Sequence, residues 1–478
     1  MSLEVSTVAL RAASIEPLRT LLEPDEWETF LGTMRQVAAQ LDGRILWNIN
    51  STAHGGGVAE ILAWQIPYER GCGLDSRWLV IEGDARFFGL TKRLHTLLHG
   101  VAADGSTISP EERTTYEQTL TRNFEVLADR IRPSDVVIVH DPQPAGLIPS
   151  LLGRGCRVVW RCHIGVDQPN QVARDAWSFL LPFVSGADAT VFSRRAYVWE
   201  GLDATKVEII PPAIDAFTPK NQEIDDNTVL AILRATGIVS DATQAAQPAF
   251  RRRDGSPARV ARITELFPRA QLPADARLVV QVSRWDRLKD PVGVMDGFAS
   301  FVAPRVDSHL LLAGPGASAV ADDPEEPAVL GDVQDRWQRL SPAVRERIHL
   351  ARLPMEDEDE NAAIVNALQR QAEVVVQKSL REGFGLTVAE AMWKARPVVA
   401  SRVGGIQDQI EDGLSGRLID DPRNLAGFGG TIVELLNHPA EAQRLGAAAR
   451  ARVRREFLAP RLLMQQASLV TRILRSEQ

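Results

Sequence analysis

The sequence predicts an α/β protein built from two Rossmann-like, doubly wound domains that face a central cleft. Three observations predict it. Short β-branched runs recur along the chain, each followed by a helical stretch, the pattern of a parallel sheet covered on both faces. The series breaks once, around residues 209–271, and so falls into two halves. At 478 residues the chain is also too long for one ordinary domain.

Residues 1–42 read as a helical extension, with apolar residues at helical spacing in Trp27–Leu41. The N-terminal domain is expected over 43–215. Its strands are Arg44–Asn50, Ser76–Ile81, Asp135–His140, Arg157–Arg161 and Thr190–Ser193, with a helix at Val58–Tyr68. The C-terminal domain is expected over 216–455, with an irregular insertion at about 220–270. Its strands are Leu278–Val282, Leu310–Ala313, Ile348–Leu350, Val374–Gln377, Val398–Ser401 and Gly416–Ile419. Met355–Glu360 is a charge run suited to a solvated helix N-terminus. A terminal helix over 456–478 is expected to pack back on the N-terminal domain.

Composition excludes several classes. Hydrophobic residues make up 45% and charged residues 24%, as in a soluble globular protein. A net charge of −8 speaks against a nucleic-acid partner. No apolar run spans a bilayer and no signal peptide is evident, so no membrane partner is expected. Cys72, Cys156 and Cys162 form no C-x-x-C pair, which fits a reducing cytoplasm. A homodimer is left open.

The stretch richest in chemistry is Ser379–Pro397. Glu382 and Glu390 stand eight positions apart, separated by Gly383, Phe384, Gly385 and the start of a helix at Leu386. Strand, glycine turn and helix start together make a phosphate site: free N–H groups and the positive helix end meet at one point. A carboxylate on either side can grip vicinal hydroxyls. Sugar, diphosphate and ribose in a row is a nucleotide sugar. Arg284 and Lys289, after the strand Leu278–Val282, can converge on one polyanion. Gly55, Gly56 and Gly57 form a loop after the first strand. His163 ends the strand at Arg157–Arg161. In His140–Pro144 the prolines make a rigid turn that aims Asp141 outward. The acidic run Asp322–Glu326 lies in a proline-bearing loop and lacks a D-x-D arrangement.

The E-x7-E stretch resembles that of the retaining GT-B glycosyltransferases of family 4. The phrases Trp47–Thr52, Gly55–Glu60, Val80–Gly83, Phe87-Phe88, Thr91-Lys92 and His95 resemble the trehalose-forming branch, both synthases and retaining trehalose phosphorylases. The resemblance implies a GT-B fold and transfer of glucose, with retention, from a nucleoside-diphosphate glucose (ADP-glucose or UDP-glucose) to glucose. It implies donor binding by Gly55, Gly56, Gly57, Arg284, Lys289, Glu382, Gly383, Phe384, Gly385, Leu386 and Glu390. Glu382 would hold the sugar, Glu390 the ribose, and His163, Arg284, Lys289 and Glu382 would be catalytic. Glu82, Lys92 and Asp141 are the acceptor-side candidates. No metal and no other cofactor is expected: a helix dipole with two basic side chains takes the metal's electrostatic role. Phosphorolysis of trehalose and a non-catalytic nucleotide-sugar sensor are the alternatives.

Overall fold

The structure is a computed structural model that describes residues 5–102, 107–240, 246–316 and 326–475. Asp322, Asp323, Pro324 and Glu325 of the acidic run lie outside the described residues. The chain divides into two units, Met1–Ala213 with Ala459–Gln478, and Ile214–Leu458. Among the described residues no helix is long and apolar enough to cross a membrane.

The N-terminal unit holds seven strands: β1 (Ser6–Val8), β2 (Leu46–Asn50), β3 (Ser76–Val80), β4 (Val136–His140), β5 (Arg157–Cys162), β6 (Ala189–Phe192) and β7 (Val207–Ile209). Their order is β1-β3-β2-β4-β5-β6-β7. The sheet is parallel except at β1, which runs antiparallel to β3. Residues 1–42 are therefore not purely helical, as expected, because Ser6–Val8 completes a sheet edge. Their main helix, Pro24–Leu41, packs on the terminal helix, Ala459–Arg475. The contact buries Phe30, Met34 and Val37 of the first, and a wide apolar face of the second.

Register explains why the two faces of this sheet differ. Trp47, Ile49, Leu79, Val137, Val139, Val158 and Trp160 share one face and enter the main apolar core. The alternate residues Asn48, Asn50, His140 and Arg161 share the other face, and each is at most 3% exposed. Four buried polar side chains on one face need partners, and that need shapes the site below.

The C-terminal unit holds a hairpin, β8 (Ala249–Arg251) with β9 (Pro257–Arg259), and a second sheet. The sheet comprises β10 (Glu265–Phe267), β11 (Leu278–Val282), β12 (His309–Pro315), β13 (Ile348–Leu353), β14 (Val374–Gln377), β15 (Val398–Ser401) and β16 (Arg417–Ile419). Its order is β10-β13-β12-β11-β14-β15-β16, and only β10 is antiparallel. The span 220–270 is less irregular than expected. It supplies the helix Asp226–Ala235, the hairpin and an edge strand. The charge run at Met355–Glu360 is not a plain solvated cap either. Asp357 caps the helix Glu358–Gln371 and pairs with Arg252 at 2.6 Å, while the buried Glu360 accepts the backbone N–H groups of Ala261 and Arg262 at 2.7 and 2.6 Å. These carboxylates clasp the segment around the hairpin onto the helix start.

In each sheet the connections reverse direction at one point: between β2 and β4 in the first, and between β11 and β14 in the second. Ligands bind outside the carboxyl ends of strands at such a point.

Candidate active site

The loops after β11 and β14 flank the switch point of the C-terminal unit and hold its candidate residues. Leu380 N–H donates to the Leu288 carbonyl at 2.7 Å, which ties the two loops together. The Lys289 ammonium lies 2.7 and 2.6 Å from the two oxygens of Glu382. Ser379 Oγ donates to the same carboxylate at 3.1 Å and is itself held by Gln377 Nε2 at 3.0 Å. The pair is largely shielded, with side-chain exposures of 18% for Lys289 and 9% for Glu382. A shielded, charge-assisted pair of this kind has a fixed geometry. Arg284 follows the same strand as Lys289. It is half exposed and lies 3.1 Å from Asp286, whose other oxygen caps the Leu288 N–H.

The turn Gly383–Leu386 is held by its carbonyls. Gly405 N–H donates to the Gly383 carbonyl at 2.8 Å, and Gln409 Nε2 reaches the carbonyls of Phe384 at 2.5 Å and Gly385 at 3.3 Å. In a trans peptide the C=O and the following N–H point in opposite directions. Three carbonyls drawn towards Gly405 and Gln409 therefore aim the N–H groups of Phe384, Gly385 and Leu386 the other way. Gly385 takes φ +83°, which favours glycine, and the helix Leu386–Trp393 opens there with no side-chain cap. Gly405 is held to glycine by space: a Cβ would stand 2.7 Å from the Phe384 Cα. Gly405→Ala is expected to push the turn aside and lower kcat/KM about tenfold or more with little change in Tm, since sub-ångström misplacement is costly at a reacting centre. Steady-state rates beside a thermal melt check this.

Glu390 departs from expectation. Spacing alone leaves it open to a ligand, but its carboxylate is fully buried and faces Lys220 at 3.4 Å. The cause is its place in a short helix that is buried on every side from Val388 to Trp393. Lys394, one turn on, donates to the Glu390 carbonyl and to Asn221 Oδ1, both at 3.1 Å. Burial lowers the Lys394 ammonium to about 7, against the pull of Glu390.

The N-terminal unit gathers a second set of groups at its own switch point. Gly55 and Gly56 take φ of +72° and +82°, and the helix Gly57–Gly71 opens after them without a side-chain cap. Asp141 follows β4 with φ +64°, a strained region for a residue with a Cβ. It does not point outward as the flanking prolines suggest. It is half-buried, and its carboxylate accepts the His163 backbone N–H at 2.7 Å. Burial raises its carboxyl to about 7, opposed by that N–H and by Arg161. His163 Nε2 lies 3.3 Å from His140 Nδ1, and His140 Nε2 lies 3.0 Å from Asn48 Oδ1. The two rings are stacked. With an amide oxygen at one end, the line assigns an Nε2–H to His140 and then an Nε2–H to His163. Burial, with Arg161 nearby, holds both imidazoles well below their usual range, so both are neutral at pH 7.

The remaining acceptor-side candidates differ. Glu82 follows β3 at the same sheet edge, its backbone N–H and C=O clamped by Asn123 at 2.9 and 2.7 Å. Lys92 is exposed, seven residues (about 10 Å of axial rise) down the helix Ala85–Leu98, and is not brought to that edge. Sequence reasoning missed Asn48 and Arg161, although polar residues at every second place in apolar strands are a readable signal.

Two doubly wound units, each with a parallel sheet and a switch point, are the architecture of the GT-B glycosyltransferases. Residues 48–199 match the family model described as "Trehalose synthase, N-terminal domain", and residues 262–452 match "Glycosyl transferases group 1". The trehalose synthase of Rubrobacter xylanophilus is 35% identical over 93% of this chain and 94% of its own. The chain belongs to the trehalose synthase family of glycosyltransferases. A trehalose phosphorylase of Pleurotus pulmonarius is 28% identical over 84% of this chain but only 54% of its own. Among solved structures, an α,α-trehalose-phosphate synthase (UDP-forming) from Burkholderia vietnamiensis shares the fold with a TM-score of 0.65 at 15% identity, covering 91% of this chain and 98% of that one.

Proposed function

We infer that the chain makes α,α-trehalose by moving glucose from a nucleoside-diphosphate glucose to free glucose with retention. The observation that carries this reading is the Lys289–Glu382 pair beside the outward N–H groups of Phe384–Leu386, in a chain of this family. These N–H groups and Lys289 take the diphosphate and offset the charge that grows on it as the C1–O bond breaks. Glu382 holds hydroxyls of the glucosyl group. The neutral His163 spends its Nε2–H on His140 and so offers that group its Nδ1 as an acceptor, and Asp141 accepts from a sugar hydroxyl. The acceptor 1-hydroxyl attacks C1 on the face the diphosphate leaves, and its proton passes to the departing phosphate oxygen. In this reading the protein works in the cytoplasm.

Incubation with glucose and, separately, ADP-glucose, UDP-glucose and glucose 1-phosphate tests the reading: trehalose should form from a nucleotide sugar. Trehalose from glucose 1-phosphate alone would favour phosphorolysis instead, the activity named for the Pleurotus relative. The Lys289 ammonium and the helix start supply the positive charge a metal would otherwise bring, so activity is expected to survive excess EDTA. A collapse that Mg²⁺ or Mn²⁺ restores would overturn that expectation.

A further inference from the structure

The polar face of the N-terminal sheet holds a buried cation that the reaction above does not use. Arg161 is 3% exposed and pairs in register with His140. It stands two residues before His163, which follows directly on the end of the strand. Its NH1 donates to Gln466 Oε1 at 3.0 Å, and Gln466 Nε2 donates to Glu69 Oε1 at 2.9 Å. Glu69 also accepts from Gln65 Nε2 at 2.7 Å and from Ser76 Oγ at 2.5 Å. Four buried side chains from two helices and one strand thus form the chain of hydrogen bonds that ends on this guanidinium.

We propose that Arg161 is a positioning residue for glucosyl transfer, set in place by Gln466 of the terminal helix, and that its fixed charge disfavours protonation of His140, His163 and Asp141 alike. The proposal rests on the reading that His163 and Asp141 meet the sugars. A nearby cation disfavours imidazolium and favours carboxylate, so one charge sets all three groups. The charged groups around it are Glu69 on the helix Gly57–Gly71, Arg461 on the terminal helix, and His140, Asp141 and His163 themselves. Burial raises Glu69 to about 7, so at neutral pH it cancels only part of the positive charge. Arg161 is itself lowered by burial, to about 10, and stays charged. Arg461 adds charge of the same sign, held by the Pro211 carbonyl at 2.9 Å. A carboxamide suits position 466: its oxygen accepts from Arg161 and its N–H donates to Glu69, with no charge added.

The test is the pH profile of kcat/KM for trehalose formation. Arg161→Met should move the acid limb up by about one pH unit, because His140, His163 and Asp141 would all protonate more readily. Arg161→Lys should return the limb toward the wild-type position, and Gln466→Leu should fall between. Glu69→Gln, which matches the shape of the site, should move the limb the other way by unmasking the arginine. If Arg161→Met does not fold, Glu69→Gln decides. Rates lowered equally at every pH, with no shift of the limb in any variant, would overturn the proposal. A wild-type protein that makes no trehalose would remove the functional reading instead.

Discussion

Lys289→Ala is expected to lower kcat and kcat/KM together by about 10²–10³-fold, the loss seen when one preorganised transition-state donor is removed. The ammonium has two partners in this reading. In the free protein it is locked on Glu382, at 2.7 and 2.6 Å from the two oxygens. During transfer it also meets the departing diphosphate. Removing it withdraws charge from the leaving group and leaves Glu382, 9% exposed, without its cation. Glu382→Gln disturbs the same pair from the other side, so the two losses should not add. The double variant should be little worse than the poorer single one. Steady-state rates for all four proteins check this. Additive losses would mean that the two residues act on separate groups. Arg284→Ala should cost less, because Arg284 is half exposed and leans on Asp286 rather than on this pair.

Legibility in the sequence followed burial and locality. Strands such as Val136–His140 and Val374–Gln377 announce themselves because a strand buried on both faces must be a run of β-branched residues. Ser6–Val8 and Glu265–Phe267 carry no such signal: each is three residues long and becomes a strand only by pairing with an existing edge. Glu382 and Lys289 stood out because each follows a strand, but their mutual pairing spans 93 positions and has no local trace. The sequence gives each residue its own part of the ligand, and nothing in it shows that the two side chains touch. Glu390 was read from spacing, which gives no sign that its helix is buried on every side. Gln466 could not have been found, since it meets Arg161 across 305 positions.

The two glutamates of the E-x7-E stretch are expected to fail in different ways. Glu382→Gln should leave the affinity for free nucleoside diphosphate nearly intact, because in this reading its ligand is the glucosyl group and its protein partners are Lys289 and Ser379. It should depress transfer, since its contact is to the group that gains positive character as the bond breaks. Glu390→Gln acts on a buried cluster. It removes the anion facing Lys220 at 3.4 Å and the charge that helps Lys394 stay protonated despite burial. Breaking a buried ion pair from one side costs about 3–5 kcal/mol, and Lys220 keeps some access to water, so the lower end is expected. The helix that carries the N–H cradle should loosen with it. Glu390→Gln should therefore lower both the melting temperature and the affinity for nucleoside diphosphate, whether or not the carboxylate touches a ribose. Comparing nucleoside diphosphate with inorganic diphosphate separates the two causes. If Glu390 also grips the ribose, the variant should lose more affinity for nucleoside diphosphate than for inorganic diphosphate. If its role is support of the helix start alone, both affinities should fall by the same factor. Calorimetric titrations with the two ligands, beside initial rates with nucleotide sugar, decide it. A Glu390→Gln protein with wild-type stability and wild-type affinity would remove the cluster from the donor site altogether.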